Sequence, residues 1–339
     1  MAYITFQPSD YFNTKLYTGA NKSVTGVGFQ PDWVWIKQRN NASSALFDAV
    51  RGATKFVESN SNNAEVTDAT TLTAFGSDGF TLGADSSGYV GGSSQTTVSW
   101  NWKANGQGSS NTDGTINTTY TSANTTSGMS IVKWTGTGSN GTIGHGLGVA
   151  PKMIMVKNLA TTDSWNVYHE SIGNGRRLFL DTSGAESTTS DAWNSTSPTT
   201  SVFSVGTNTG TNKSGDALIA YCFAEKKGFS KFGKYFGNGS ANGTFVYTGF
   251  QPGLVIVKDR DSNQWQMFDS KRGVNGAMGF VYPDSSEAET ATVPMDIVSN
   301  GFKFRDASGA RNGNGEQFTY LAIAEHPLVS SNGVPATAR

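Results

Sequence analysis

Two short phrases carry the side chains best suited to hold a sugar. Asp261-Ser262-Asn263-Gln264-Trp265 and Thr162-Asp163-Ser164-Trp165 each set an aromatic ring beside a carboxylate or amide on a polar turn. A ring face can stack on a pyranose while the polar group takes its hydroxyls. Asp163, Trp165, Asp261, Asn263 and Trp265 are therefore the candidate carbohydrate-binding residues. Parity offers a competing reading: Trp165 and Trp265 share a strand face with Val167 and Met267, so the rings would begin core strands. The matching place around Asn40, Asn41 and Ser43 has no tryptophan.

Other chemistry is sparse. Retaining glycoside hydrolysis needs two carboxylates about 5 Å apart, and no Glu-x-Asp-x-x-Glu is present. The densest acidic phrase, Glu287-Ala288-Glu289, lies in a polar loop and reads as solvated. Asp259-Arg260-Asp261-Ser262-Asn263 resembles half a calcium loop, but Gln264 and Ser270 stand where its glycine and glutamate belong. His145, His169 and His326 make no ligand spacing, so no metal or cofactor is expected. Cys222, the one cysteine, lies in an apolar run and reads as a small buried hydrophobe. Arg51 and Arg272, each before a glycine, read as braces of a turn.

The frame that must position these residues is internally similar. GFQPDWVWIK (Gly28 to Lys37), GVAPKMIMVK (Gly148 to Lys157) and GFQPGLVIVK (Gly249 to Lys258) share Gly, two residues, Pro, five residues, Lys. LFDAVRGA (Leu46 to Ala53) matches MFDSKRGV (Met267 to Val274), with VYHESIGN (Val167 to Asn174) a weaker counterpart. DGFTLG (Asp78 to Gly83) matches NGFKFR (Asn300 to Arg305). Each copy closes on an apolar strand: VSWNWKA, LIAYCFAE and LAIAE. A period of about 100 residues exceeds any solenoid or propeller repeat and equals one small β-sandwich. The expected architecture is all-β: three tandem β-sandwich repeats of jelly-roll or concanavalin-like type. Their expected spans are 1–104, 118–226 and 227–328, with a polar linker at 105–117 and a tail at 329–339.

After Pro31 the phrase Trp33-Val34-Trp35-Ile36 is apolar on both parities, whereas a strand with one wet face alternates. One parity is β-branched in every copy: Val34/Ile36, Ile154/Val156, Val255/Val257. The other changes size: Trp33/Trp35, Met153/Met155, Leu254/Ile256. The β-branched parity should face each copy's own core. Either the second face lies inside the same thick sandwich, repacked in each copy, or it meets a neighbour, which makes Trp33 and Trp35 candidate interface residues. The terminal lysines Lys37, Lys157 and Lys258 read as solvated guards of the strand end.

Net charge is -1 across 25 basic and 26 acidic residues, which disfavours a nucleic-acid partner. No apolar run is long enough to span a membrane, and the N-terminus lacks a signal-peptide pattern, so synthesis in a cytoplasm is expected. The opening segment, MAYITFQPSDYF, reads as an attachment arm or as the first strand of copy one.

Tyr3 to Gly19, Gly26 to Lys37, LFDAVRG, Ser122 to Asn158 and the closing AEHP resemble repeat domains of virion structural proteins from bacteriophages of marine cyanobacteria. The resemblance implies a non-enzymatic virion protein: a tail-fibre or surface-appendage component involved in host attachment. A capsid decoration (cement) protein and a lectin-like carbohydrate-binding module are the alternatives. It also implies a place in the virion, with other virion proteins, a homo-oligomer such as a trimer, and a host surface glycan as partners. The resemblance assigns no functional residue.

Overall fold

In a computed structural model the described residues are 4–40, 43–92, 94–273, 279–327 and 329. Asn41, Val274 and, apart from Val329, the tail 329–339 lie outside them.

The protein is an all-β sandwich fold. Among the described residues the strands form six sheets, and every pairing between them is antiparallel. In the first large sheet Phe12–Thr18, Thr96–Trp102, Trp33–Gln38 and Ser44–Asp48 lie side by side, followed by Lys55–Glu58 and Val66–Thr67. The second begins Thr118–Asn124, Met129–Thr135, Ala217–Phe223, Met153–Asn158, Asn166–His169, and continues through Arg176–Phe179 to Ser187–Thr188. The third runs Ser230–Phe236, Gln317–Pro327, Phe250–Asp259, Gln266–Asp269. In each, the closing apolar strand lies between an opening strand and the proline-led strand. Pro31 and Pro151 precede their strands, where a missing N–H costs no ladder bond. Pro252 falls inside its strand, at a shift of register against Gln317–Pro327.

A smaller sheet covers one face of each large one. Lys22–Thr25, Gly79–Leu82 and Leu72–Gly76 form the first; Gly141–Gly144 with Val202–Val205 the second; Phe245–Tyr247, Gly301–Phe304 and Met295–Val298 the third. The matched glycines of DGFTLG and NGFKFR have a packing cause. A Cβ on Gly79 would sit 1.9 Å from Val24 O, and one on Gly301 2.1 Å from Val246 O.

The β-branched parity packs between large and small sheets, as expected. Val34/Ile36, Ile154/Val156 and Val255/Val257 fall in three separate hydrophobic clusters. The variable parity does not stay within its own sandwich. Trp33, Trp35, Met153, Met155, Leu254 and Ile256 all belong to one further cluster that takes side chains from all three large sheets. Each large sheet is thus buried on both faces, which is why its strands read as continuous apolar runs.

Two expectations need adjustment. Residues 105–117 do not hang free: Ser109 bridges Thr121, Ile116 bridges Ile143 and is buried, and Asn111 N–H donates to Thr118 Oγ1 at 2.7 Å. The opening segment is divided. Phe12–Thr18 is the first strand, while Phe6 and Tyr11 pack edge-on against Phe229 of the third segment.

Candidate functional site

The candidate sugar residues do not form a sugar site. Trp165 is fully buried and its Nε1 donates to Glu58 O at 2.8 Å. Trp265 is buried likewise, and its Nε1 donates to Phe179 O at 2.8 Å. Each indole crosses from one large sheet to the preceding one, so neither presents a face to a ligand. The parity shared with Val167 and Met267 prevails, because all four side chains fill the common core. Asp163 N–H donates to Asn62 O, and its carbonyl accepts from Lys157 Nζ at 2.7 Å. Asp261 is exposed and its carbonyl accepts from Lys258 Nζ; Asn263 binds Asp259 Oδ2. The five residues are split between two places. Trp33 and Trp35, in contrast, do lie at an interface, one internal to the chain. The Trp33 ring is 4.5 Å from Tyr221, stacked, and 5.7 Å from Phe223 of the second sheet.

The seams between large sheets are the best-defined site in the molecule. Glu65 N–H donates to Leu159 O at 3.0 Å, Glu186 N–H to Arg260 O at 2.9 Å, and Glu289 N–H to Arg39 O at 2.8 Å. First joins second, second joins third, and third joins first. The acceptor stands two residues beyond Lys157, Lys258 or Lys37 each time. Each donor is the glutamate of an Ala-Glu pair (Ala64-Glu65, Ala185-Glu186, Ala288-Glu289), a recurrence available in the sequence. The glutamates are not solvated loop residues. Glu186 accepts from Arg176 at 2.6 Å and from Arg260 Nε at 2.7 Å, across the seam. Glu289 pairs with Arg39 across its seam and lies 3.6 Å from Arg272. Glu65 lies 3.4 Å from Arg51, while Leu159 occupies the place of the cross-seam arginine.

The lysines at the strand ends are buried as well. Lys37, Lys157 and Lys258 have no exposed surface. Lys157 Nζ donates to Asn62 O at 3.0 Å and Lys37 Nζ to Ser285 O at 2.9 Å, both across seams. Burial draws each of these two ammonium groups down to about 8, against the pull of nearby carboxylates.

The profile of one protein family, described as "Domain of unknown function (DUF7483)", matches residues 7–327. The chain belongs to the DUF7483 family. No curated protein matches it. The DUF7483 match runs through all three large sheets and all three seams. Among the described residues no group of three or more His, Cys, Asp or Glu could hold a metal ion, and no helix is long and apolar enough to cross a membrane.

Buried polar groups of this DUF7483 chain are spent on the seams. Asp48 and Arg51, both with fully buried side chains, pair at 2.5 Å, and Tyr221 Oη of the second sheet donates to Asp48 Oδ2 at 2.8 Å. Asp269 and Arg272 form the same pair in the third sheet, and Trp100 Nε1 of the first donates to Asp269 Oδ2 at 3.1 Å. Both arginines brace their turns by donating to Leu46 O and Met267 O. His169 replaces the aspartate in the second sheet. Its Nδ1 accepts from Ser171 N–H, so Nε2 carries the proton and donates to Tyr320 O at 3.2 Å in the third. Cys222 is a buried hydrophobe, its thiol pushed up to about 12 by burial.

Two buried groups oppose each other in pH: His169, and Asp284, whose Oδ2 accepts from the Trp265 backbone N–H at 3.3 Å. Burial lowers His169 from 6.5 to about 4. Below pH 6.5 the unfolded chain takes a proton that the folded one refuses, so this contribution to stability falls as pH falls. Burial raises Asp284 from 3.8 to about 7. The unfolded carboxyl ionises first, so its contribution falls as pH rises through that window. Relative to wild type, His169→Asn should gain stability at pH 4 over pH 6.5, and Asp284→Asn should lose it. Each change is up to roughly 3 kcal/mol, read from urea midpoints at the two pH values. Parallel midpoints for all three proteins would refute the assignment.

Proposed function

We propose that this protein is a non-enzymatic structural component of a bacteriophage particle, a tail-fibre or surface-appendage unit involved in host attachment, built of three tandem sandwich repeats. The observation that carries the reading is closure. Three large sheets turn one face inward on a shared core, and the same backbone hydrogen bond seals each seam. Tryptophans, histidine, aspartates and arginines that could serve chemistry elsewhere are consumed in that sealing. The phrases that resemble those of phage virion proteins supply the particle in this proposal. The shared core and the sealed seams suit an exposed appendage, which must stay folded.

A capsid decoration role is the second reading, favoured by the threefold character of the closure, which suits a junction where three capsomers meet. A reconstruction of purified particles with the chain labelled tests both. Density at the tail or a vertex supports the appendage, density over capsomer junctions supports decoration, and absence from the particle ends both.

A further inference from the structure

The smaller sheet of the third sandwich ends in an open edge. Phe245–Tyr247 pairs with Gly301–Phe304 on one side, and no described strand pairs with it on the other. Thr244 O accepts from Phe304 N–H at 3.1 Å, and Thr248 N–H donates to Asn300 O at 3.0 Å. The N–H and C=O of a trans peptide point opposite ways, so Phe245 N–H and Tyr247 C=O are directed away from the sheet. Outward backbone groups of this kind are a template for another strand.

The other two sandwiches deal with the same edge. In the second, Ile143 opposes Phe203 as Val246 opposes Phe302 in the third. Ile116 bridges Ile143 from the free side, and Ile116 N–H donates to Thr142 O at 3.0 Å. That cover comes from residues 105–117. The connection between Ala217–Phe223 and Ser230–Phe236 is too short to supply its like. In the first sandwich Val24 opposes Phe80, flanked by exposed Ser23 and Thr25, with exposed Lys22 next along the strand. A lysine on an edge guards it against pairing. The third sandwich has neither device. Phe245 and Tyr247 flank Val246, and they are 45% and 56% exposed.

We infer that this edge joins two copies of the chain, strand against strand, about a two-fold axis. The strand is its own complement. Laid antiparallel with the axis at Val246, Phe245 of each copy faces Tyr247 of the other. These are the residues whose backbone groups point outward, so each facing pair can exchange both of its hydrogen bonds. The rings then meet as aromatic pairs across the joint. Thr244 and Thr248 stand at its ends, so no charge on the strand opposes its like. A second copy therefore brings the backbone groups and the rings that this edge lacks.

The joint is short and buries less than a standard interface, so the association is weak. Sedimentation equilibrium of the full chain at up to about 1 mM should show a monomer exchanging with a dimer. Phe245→Lys/Tyr247→Lys should weaken that dimer at least about tenfold with the melting temperature unchanged. Leu16→Lys, at an exposed apolar residue of the first sandwich, should leave it as it was. Hydrogen exchange at the Phe245 and Tyr247 amides should slow as concentration rises, with the Val246 amide slow throughout. A chain that stays monomeric, a trimer, a dimer that survives Phe245→Lys/Tyr247→Lys, or one that Leu16→Lys weakens equally overturns the inference. Protection of both amides already in the monomer also overturns it, by assigning the edge to a segment of the same chain.

Discussion

Asp48→Ala is expected to lower stability by about 3–5 kcal/mol, because it leaves a charge buried without its partner. Asp48 Oδ2 accepts from Arg51 Nε at 2.5 Å and from Tyr221 Oη at 2.8 Å, while Oδ1 accepts from the Arg51 backbone N–H at 2.8 Å. After truncation, Arg51 keeps Leu46 O at 2.6 Å and the more distant Glu65 at 3.4 Å. The guanidinium stays buried, and Tyr221 loses its acceptor. Removing both charges should be milder, since desolvation then has nothing to penalise. The chain holds such a solution itself, with His169 and Ile172 at the places aligned with Asp48 and Arg51. Asp48→Ala/Arg51→Met should therefore be more stable than Asp48→Ala alone by urea denaturation. A double variant as unstable as the single one would show that the turn, not the charge, carries the cost.

Trp33→Ala should cost a comparable amount, about 3–5 kcal/mol, and its effect should reach beyond its own sheet. The Trp33 ring lies 4.3 Å from Trp102, 5.6 Å from Trp35 and 4.5 Å from Tyr221. The cavity would open where first and second sheets meet. Val34, one residue on, points into the outer cluster of the first sheet alone. Hydrogen exchange separates the two: Trp33→Ala should speed exchange in both Trp33–Gln38 and Ala217–Phe223, Val34→Ala in the first segment only. Trp33→Phe should cost much less, because the Trp33 Nε1 is buried without a hydrogen-bond partner and phenylalanine removes that N–H. Confinement of the Trp33→Ala effect to the first sheet would contradict the shared core.

The strands and the faces they bury were legible because they depend on neighbours in sequence. Period two separated Val34/Ile36 from Trp33/Trp35, and the proline-led phrases marked where it applied. The destination of the second face was not legible, since Trp33 meets Tyr221 through a fold that brings distant segments together. Trp165 and Trp265 misled for the same reason. An indole next to Asp and Asn on a turn looks the same whether its N–H meets a sugar or a carbonyl 107 or 86 residues earlier. The lysines followed the rule for exposed strand ends, yet these strands end inside seams. The Ala-Glu pairs did carry a signal, a recurrence with nearly the spacing of the prolines, but a residue pair inside polar loops has little else to set it apart.

The central claim is that the large sheets stand or fall together because they share one core and close on one another. Calorimetry of the full chain tests it most directly. One endothermic transition whose van't Hoff enthalpy matches the calorimetric enthalpy is the predicted result. Separate transitions, or a van't Hoff enthalpy near one third of the calorimetric value, would show three sandwiches that unfold independently and would contradict it.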